Sequence, residues 1–183
     1  MERIDGRVVY ENPWMVVRED QVRFGDGSFG IYGVIDKPGS VLVIPSEDGG
    51  FWMVNPYRYA IGRRVWEFPQ GAPDPGVVPA SAADLARAEL AEETGLRCGE
   101  LEHVGHFMHG YGCLNQGCDV FLATDLVAGP ATPGPGEHGM TVRRVPEAEF
   151  IAMIRRGEIV DAATLAAWAL LLDARSAAAD AGD

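Results

Sequence analysis

The chain has 183 residues and a net charge of −12, from 15 basic and 27 acidic residues. This length allows one domain with a sizeable core, or a core domain with a small appendage. The acidic balance argues against a broad nucleic-acid or membrane-surface footprint, because both require clustered basic residues. We therefore predict neither a nucleic-acid partner nor a membrane partner.

Three cysteines, Cys98, Cys113 and Cys118, form an odd set without a disulfide framework. The chain contains no run of about 18 apolar residues, which is the length that predicts a membrane-spanning helix. The N-terminus lacks the basic-then-apolar layout of a signal peptide. Together these features predict a protein of the reducing cytoplasm.

The first third of the chain is predicted to form strands. The runs VVYENPWMVVRED and QVRFGDGSFGIYGVID are rich in β-branched and aromatic residues. Apolar runs on both sides of Glu47-Asp48-Gly49-Gly50 predict a hairpin. The run VWEFPQG predicts a short strand that ends at Pro69 and Gly71.

A helix is predicted from Ser81 to Thr94. Ser81 is the expected N-cap, Asp84 its capping-box partner, and Gly95 the C′ residue. Three glutamates near the end of this helix, Glu89, Glu92 and Glu93, share one face.

These glutamates predict a cation site, because the last turn of a helix disfavours carboxylates. Mg²⁺ prefers oxygen ligands and retains several waters. We therefore expect a solvent-facing metal site on this face, the alternative being a solvated acidic surface.

Strand signals return in LEHVGHFMHG, GCDVFLATDL and MTVRRVP, and a Pro/Gly-rich loop, VAGPATPGPGEHG, joins the last two. Two helices follow, the second capped by Asp161, and residues 176–183 are expected to form a flexible tail. This order predicts an α+β fold with a mixed sheet between helices.

The segment AELAEETGL, after PQG, resembles the Nudix box, G-x5-E-x7-R-E-U-x-E-E-x-G-U, where U is aliphatic. The resemblance implies an α/β/α Nudix sandwich with its catalytic domain over 41–175. It also implies Mg²⁺ (or Mn²⁺) as the cofactor. The implied metal ligands are Glu89, Glu92, Glu93 and the backbone carbonyl of Gln70.

The chain departs from the box in two ways. Ala88 stands in place of the box arginine, and the loop from Gly71 to Ala88 is about three residues longer than the pattern. No glutamate stands where the box expects one in this loop, and Asp74 is the only acid there. Loss of both members of an ion pair can be nearly neutral, and Arg87 is a candidate to replace the arginine in part.

The segments NPYRYAIGRRVWEFPQG and GEIVDAATLAAWALLL, with the early strands, resemble the ADP-ribose/ADP-sugar pyrophosphatase branch. This implies hydrolysis of the diphosphate of ADP-ribose or a related nucleoside diphosphate sugar to a nucleoside monophosphate and a sugar phosphate. It also implies that residues 1–40 form an antiparallel strand segment that pairs two subunits into a homodimer. The alternative is additional sheet in a monomer.

Several residues are candidates for substrate binding. Arg58 is the candidate for a diphosphate contact, because guanidinium forks onto phosphate oxygens; the alternative is a surface ion pair. Glu67 is a candidate acceptor for an adenine amino group, and Asn115 and Gln116 are expected to line the pocket. Aromatic candidates for stacking on a base are Trp14, Tyr32 and Trp52.

The general base is expected on the loop GPATPGPGEHGMTV. In similar ADP-sugar pyrophosphatases a glutamate on a mobile loop after the box activates the water. Glu137 is the one acid of this loop. His138 and the helix residue Glu92 are the alternatives.

Three other interpretations stay open. FPQG also occurs in dinucleoside polyphosphate and RNA 5′-end pyrophosphohydrolases, although the acidic charge and the N-terminal extension argue against RNA. The incomplete box also allows a catalytically silent nucleotide-binding module. The third interpretation is a zinc site formed by His106, His109, Cys113 and Cys118, although their spacing is not a familiar zinc-ligand pattern.

Overall fold

The computed structural model describes residues 1–131, 134 and 139–180. Within these residues the chain forms eleven strands and three α-helices. The strands are β1 (Glu2–Asn12), β2 (Met15–Arg23), β3 (Phe29–Asp36), β4 (Ser40–Glu47), β5 (Gly50–Val54), β6 (Tyr57–Arg58), β7 (Arg63–Arg64), β8 (Gln70–Gly71), β9 (Leu96–Met108), β10 (Gly117–Ala128) and β11 (Val142–Pro146). The helices are α1 (Ala82–Thr94), α2 (Glu147–Arg155) and α3 (Ala162–Asp180).

The central sheet has the strand order β11-β5-β4-β10-β9, with β8 paired to β4. Strands β4 and β10 are parallel, and the other neighbours are antiparallel. This arrangement confirms the predicted mixed sheet.

Both faces of this sheet are covered by helices. On β4, Val41 and Val43 pack with Leu90 of α1, whereas Leu42 and Ile44 belong to the core formed with α2 and α3. Successive side chains of a strand point to opposite faces, and a strand covered on both sides is apolar throughout. The result is the predicted α/β/α sandwich.

The hairpin between β4 and β5 forms as predicted. Asp48 and Gly49 have φ values of 47° and 69°, as a two-residue type I′ turn requires. The short strand predicted for VWEFPQG is wrong, because only Gln70–Gly71 is a strand there and Glu67 makes a single bridge to Val54. Pro69 lacks the N–H that a continuous ladder needs.

The N-terminal strands form a separate antiparallel sheet in the order β1-β2-β3. Its exposed side chains include Val8, Phe29 and Ile31. Residues 176–180, expected to belong to a flexible tail, continue α3. No helix among the described residues has the length and apolar character needed to cross a membrane.

Candidate functional site

Helix α1 carries the three glutamates and has the predicted ends. The Ser81 hydroxyl oxygen accepts the backbone N–H of Asp84 at 3.1 Å, so one of the N–H groups at the helix start is satisfied. Gly95 ends the helix with a φ of 73°, a conformation that suits glycine. Ala86 and Leu90 are buried against the sheet, and this packing sets the rotation of the helix.

The glutamates are less exposed than the sequence predicted. Glu93 is 4% exposed, and its Oε2 atom accepts the backbone N–H of Gln70 at 3.0 Å. Glu89 and Glu92 are half-buried. The expectation of a fully solvent-facing cluster is therefore wrong for Glu93, because β8 packs onto the end of α1.

Gly71 provides the space for the Glu89 carboxylate. A Cβ atom placed on Gly71 would overlap the carboxylate of Glu89. Any larger residue would displace this carboxylate, which is the end of a flexible side chain. The glycine at the start of the box thus allows a glutamate near its end to occupy this position.

A cavity of about 840 Å³, which we call the glutamate cavity, is lined by Glu89, Glu92 and Glu93. Its other lining residues include Trp14, Tyr57, Arg58, Gln70, Gly71, Asp74 and Val77. A second cavity of about 590 Å³, the arginine cavity, includes Lys37, Ser40, Arg58, Arg63, Glu67, His109, Gln116 and Asp161. The two cavities share Arg58, Gln70, Gly71 and Ala72, so they adjoin at β8.

The donor set of the glutamate cavity fits Mg²⁺. Among the described residues, no three Glu, Asp, His or Cys side chains converge into a ready-made metal site. Mg²⁺ does not require such a cage, because it binds through one or two carboxylates, water and substrate phosphates. The cavity supplies carboxylate oxygens of this type, with Glu89 seated against Gly71.

Arg58 and Glu67 form a two-bond ion pair at the junction. Nε of Arg58 donates to Oε2 of Glu67 at 3.0 Å, and a second guanidinium nitrogen donates to Oε1. Side-chain exposure is 45% for Arg58 and 1% for Glu67. Burial raises the pKa of Glu67, and the guanidinium opposes this shift. Both carboxylate oxygens therefore hold Arg58, a different arrangement from the predicted contact with an adenine amino group.

Three other substrate candidates, Gln116, Asn115 and Tyr32, lie at or near the wall of the arginine cavity. Gln116 lines this cavity and donates to the Pro38 carbonyl at 2.9 Å. Asn115 accepts the Lys37 backbone N–H at 3.0 Å, and the Tyr32 hydroxyl donates to the Gly112 carbonyl. Tyr32 and Asn115 are absent from the described lining of both cavities. They tie the 110–116 segment to β3.

The side chain of Arg87 is directed away from the position of the box arginine. Arg87 donates to the carbonyl oxygen of Cys98 at 3.0 Å, so its side chain is directed to β9 and it does not replace the box arginine. Glu137 and His138, the candidate bases, lie outside the described residues.

Sequence reasoning missed the contribution of Asp161 and His109 to the arginine cavity. Asp161 was predicted only as a helix cap, but its carboxylate also accepts the side-chain N–H of Gln70 at 3.0 Å. Nε2 of His109 lies 3.0 Å from the Ser40 hydroxyl oxygen, and burial lowers the pKa of His109. No local pattern reveals these contacts, because they join segments far apart in sequence.

Comparisons with known proteins identify the family of this chain. A model described as the nucleoside diphosphate sugar hydrolase N-terminal domain matches residues 1–35, and the NUDIX domain model matches residues 36–168. The chain therefore belongs to the Nudix family. It is an enzyme of the pyrophosphohydrolase type, similar to ADP-ribose pyrophosphatase.

Three individual proteins are similar to this chain in sequence or in fold. The ADP-ribose pyrophosphatase of Mycobacterium tuberculosis is 31% identical over 167 residues, covering 90% of this chain and 80% of the relative. An RNA pyrophosphohydrolase of Bartonella bacilliformis is 36% identical over 66 residues, covering 33% of this chain and 37% of the relative. The crystal structure of an ADP compounds hydrolase has a TM-score of 0.82 at 19% identity, covering 94% of this chain and 92% of the other. This last similarity concerns the fold.

Proposed function

We propose that this protein hydrolyses the diphosphate linkage of ADP-ribose or a related nucleoside diphosphate sugar with Mg²⁺ (or Mn²⁺). The observation that carries the proposal is the junction of the two cavities. Arg58 and three glutamates line one cavity, which adjoins a second that is large enough for an attached group. The mycobacterial relative, an ADP-ribose pyrophosphatase, supports this substrate class.

In this proposal Glu89, Glu93 and the Gln70 carbonyl hold the metal, and Glu92 is a further ligand or holds a metal-bound water. A metal ion there would neutralise the diphosphate and lower the pKa of the attacking water. Arg58 binds a phosphate oxygen through guanidinium N–H groups that Glu67 leaves available, because guanidinium has five donors. Gln116 contributes to the cavity wall, while Tyr32 and Asn115 hold that wall in place.

The proton of the attacking water passes to Glu137 in our proposal. A general base must come within hydrogen-bond reach of that water, and the sequence around Glu137 is rich in glycine and proline. Glu92 is the alternative base. The products are a nucleoside monophosphate and a sugar phosphate.

We further infer that residues 1–40 pair two copies of the chain, with residues 41–175 as the catalytic domain. The motivating observation is that Phe29 and Ile31 are 72% and 69% exposed. An apolar sheet face of this kind is stabilised when a partner covers it. Light scattering after size-exclusion chromatography is expected to give twice the chain mass, and a monomer mass would reject the dimer.

A substrate panel with product identification tests the proposed reaction. Purified protein with Mg²⁺ is incubated with ADP-ribose, another ADP-sugar, a dinucleoside polyphosphate and 5′-triphosphorylated RNA. We expect AMP and ribose 5-phosphate from ADP-ribose at the highest kcat/KM. Preference for the RNA would favour the activity of the Bartonella relative, and turnover of no substrate would favour a silent nucleotide-binding module.

A further inference from the structure

Asp161 makes more hydrogen bonds than a helix cap requires. Its Oδ2 atom accepts the backbone N–H and the hydroxyl of Thr164, each at 2.8 Å. The same atom accepts the side-chain N–H of Gln70 at 3.0 Å. The first two bonds begin α3, and the third joins the start of α3 to β8, whose Gln70 also lines the arginine cavity.

Gln70 is held at both its side chain and its backbone. Its backbone N–H donates to Oε2 of Glu93 at 3.0 Å. Its side-chain N–H donates to Oδ2 of Asp161 at 3.0 Å. Because a carboxylate only accepts hydrogen bonds, this contact fixes which way the Gln70 amide faces.

Strand β8 links these contacts to the glutamates of α1. It has two residues, Gln70 and Gly71, and it pairs with β4 through Leu42 and Val41. A strand this short has little ladder of its own. Its backbone nevertheless positions Glu93 through the Gln70 N–H, and Gly71 provides the space for Glu89.

We propose that Asp161 is a positioning residue, which clamps Gln70 and thereby sets β8 against the metal-binding glutamates of α1. The clamp joins the N-terminus of α3 to the C-terminal turn of α1 through one side chain. It also connects the arginine cavity with the glutamate cavity. The inference rests on the proposed metal-dependent function, and it assigns Asp161 no contact with the reacting atoms.

Two substitutions separate clamping from capping. Asp161→Ser keeps the cap, because serine caps helices about as well as aspartate and Ser81 caps α1 of this chain in the same way. A serine hydroxyl is too short to reach Gln70. Gln70→Met removes the amide, keeps the approximate side-chain length and leaves the backbone N–H that binds Glu93.

Mn²⁺ binding without substrate, followed by electron paramagnetic resonance, is the primary measurement. Each variant is expected to weaken Mn²⁺ binding about tenfold, the lower scale for loss of a residue that orients metal ligands. The Mg²⁺ concentration for half-maximal hydrolysis is expected to rise by the same factor. The double variant is expected to match the single variants, because both remove one shared interaction.

Ser81→Ala is the matched control, since it removes a cap from the helix that carries the glutamates. We expect this variant to lower the melting temperature without changing Mn²⁺ affinity. Wild-type Mn²⁺ affinity in Asp161→Ser and Gln70→Met would overturn the clamp, as would an equal loss in Ser81→Ala or additive losses in the double variant. Absence of Mn²⁺ binding by the wild-type protein would overturn it as well.

The binding measurement also separates this proposal from the proposed reaction. If the wild-type protein binds Mn²⁺ but turns over none of the panel substrates, the proposed function fails. The Mn²⁺ affinities of the variants then still decide whether Asp161 positions the glutamates.

Discussion

The glutamate cavity takes its three glutamates from five consecutive residues of α1, whereas the arginine cavity is lined by segments that extend from Lys37 to Ala162. The glutamates of the first follow from one helix face. The second requires the residue after β3, the start of β4, the β6–β7 hairpin, β8, the 109–116 segment and the start of α3 to come together. Under the proposed function, the chemistry is therefore encoded locally, while recognition of the substrate is encoded by the tertiary fold.

The two cavities also treat buried charge differently. In the arginine cavity, Glu67 is 1% exposed and both its oxygens bind Arg58. A buried carboxylate is tolerated when an ion pair and hydrogen bonds compensate its desolvation. In the glutamate cavity, three glutamates of α1 line one space, and like charges at this helical spacing repel. We expect the first arrangement to control affinity and the second to control turnover.

The largest expected effect comes from the glutamate cavity. Glu93→Gln removes the charge while its amide oxygen can still accept the Gln70 N–H, so the fold is expected to survive. Residues that only orient metal ligands contribute up to about 100-fold to activity. Removal of a metal ligand itself is therefore expected to lower kcat by more than about 100-fold. Steady-state kinetics with ADP-ribose and saturating Mg²⁺ measure this.

Mg²⁺ is also expected to raise the melting temperature of the wild-type protein more than that of Glu93→Gln, because it binds the folded state. Glu102→Gln, a change of an exposed glutamate on β9, is the matched control and is expected to retain wild-type kinetics. Near-normal kcat in Glu93→Gln would contradict the assignment of the metal site.

The next largest effect concerns the proton acceptor. Glu137→Gln is expected to lower kcat by about 100-fold, the scale of general-base catalysis. Mn²⁺ affinity and melting temperature are expected to stay at wild-type values, because the glutamates of α1 are unchanged. A general base contributes about 100-fold or more to kcat. A loss below about threefold would therefore contradict this role for Glu137 and would assign it to Glu92.

The sequence predicted α1, its caps and the glutamates because each follows from spacing within one element. Ser81, Asp84 and Gly95 lie where the capping pattern expects them. Burial of Glu93 could not be predicted this way, since it depends on the packing of β8, which is distant in sequence. The sequence identified Asp161 as a cap, yet its bond to Gln70 spans 91 positions.

The substrate residues show the same division. Arg58 and Glu67 were each predicted as separate substrate contacts, and the structure joins them into one ion pair. Their partnership depends on the turn between β6 and β7 and on the single bridge at Glu67. Predictions made for single residues contain no information on which side chains the fold brings together, so they could not pair Arg58 with Glu67.

Gly71→Ala tests whether the box glycine acts through Glu89. The new Cβ would overlap the Glu89 carboxylate, which is the end of a flexible side chain and can move, so stability is expected to change little. Mn²⁺ affinity is expected to fall about tenfold or more, in the range for disturbed metal ligands. Electron paramagnetic resonance measures it.

Gly33→Ala is the matched control, because a Cβ on Gly33 meets no atom within 4 Å and the residue lies on β3. We expect it to bind Mn²⁺ like the wild-type protein. Equal affinities of Gly71→Ala and the wild-type protein would show that Glu89 needs no defined position to support metal binding.

Arg58→Lys is expected to produce the smallest effect and to act on affinity. Lysine carries the same charge, but it lacks the planar fork that binds both oxygens of Glu67. One oxygen of a nearly fully buried carboxylate then loses its partner, which costs about 1–3 kcal/mol of stability.

The KM for ADP-ribose is expected to rise about tenfold, equivalent to about 1.4 kcal/mol of lost binding, with kcat within about threefold. The ratio of the two constants, measured at saturating Mg²⁺, distinguishes this outcome from that of Glu93→Gln. A fall in kcat with unchanged KM would instead place Arg58 with the glutamates in the chemical step, and the division of labour between the two cavities would then be wrong.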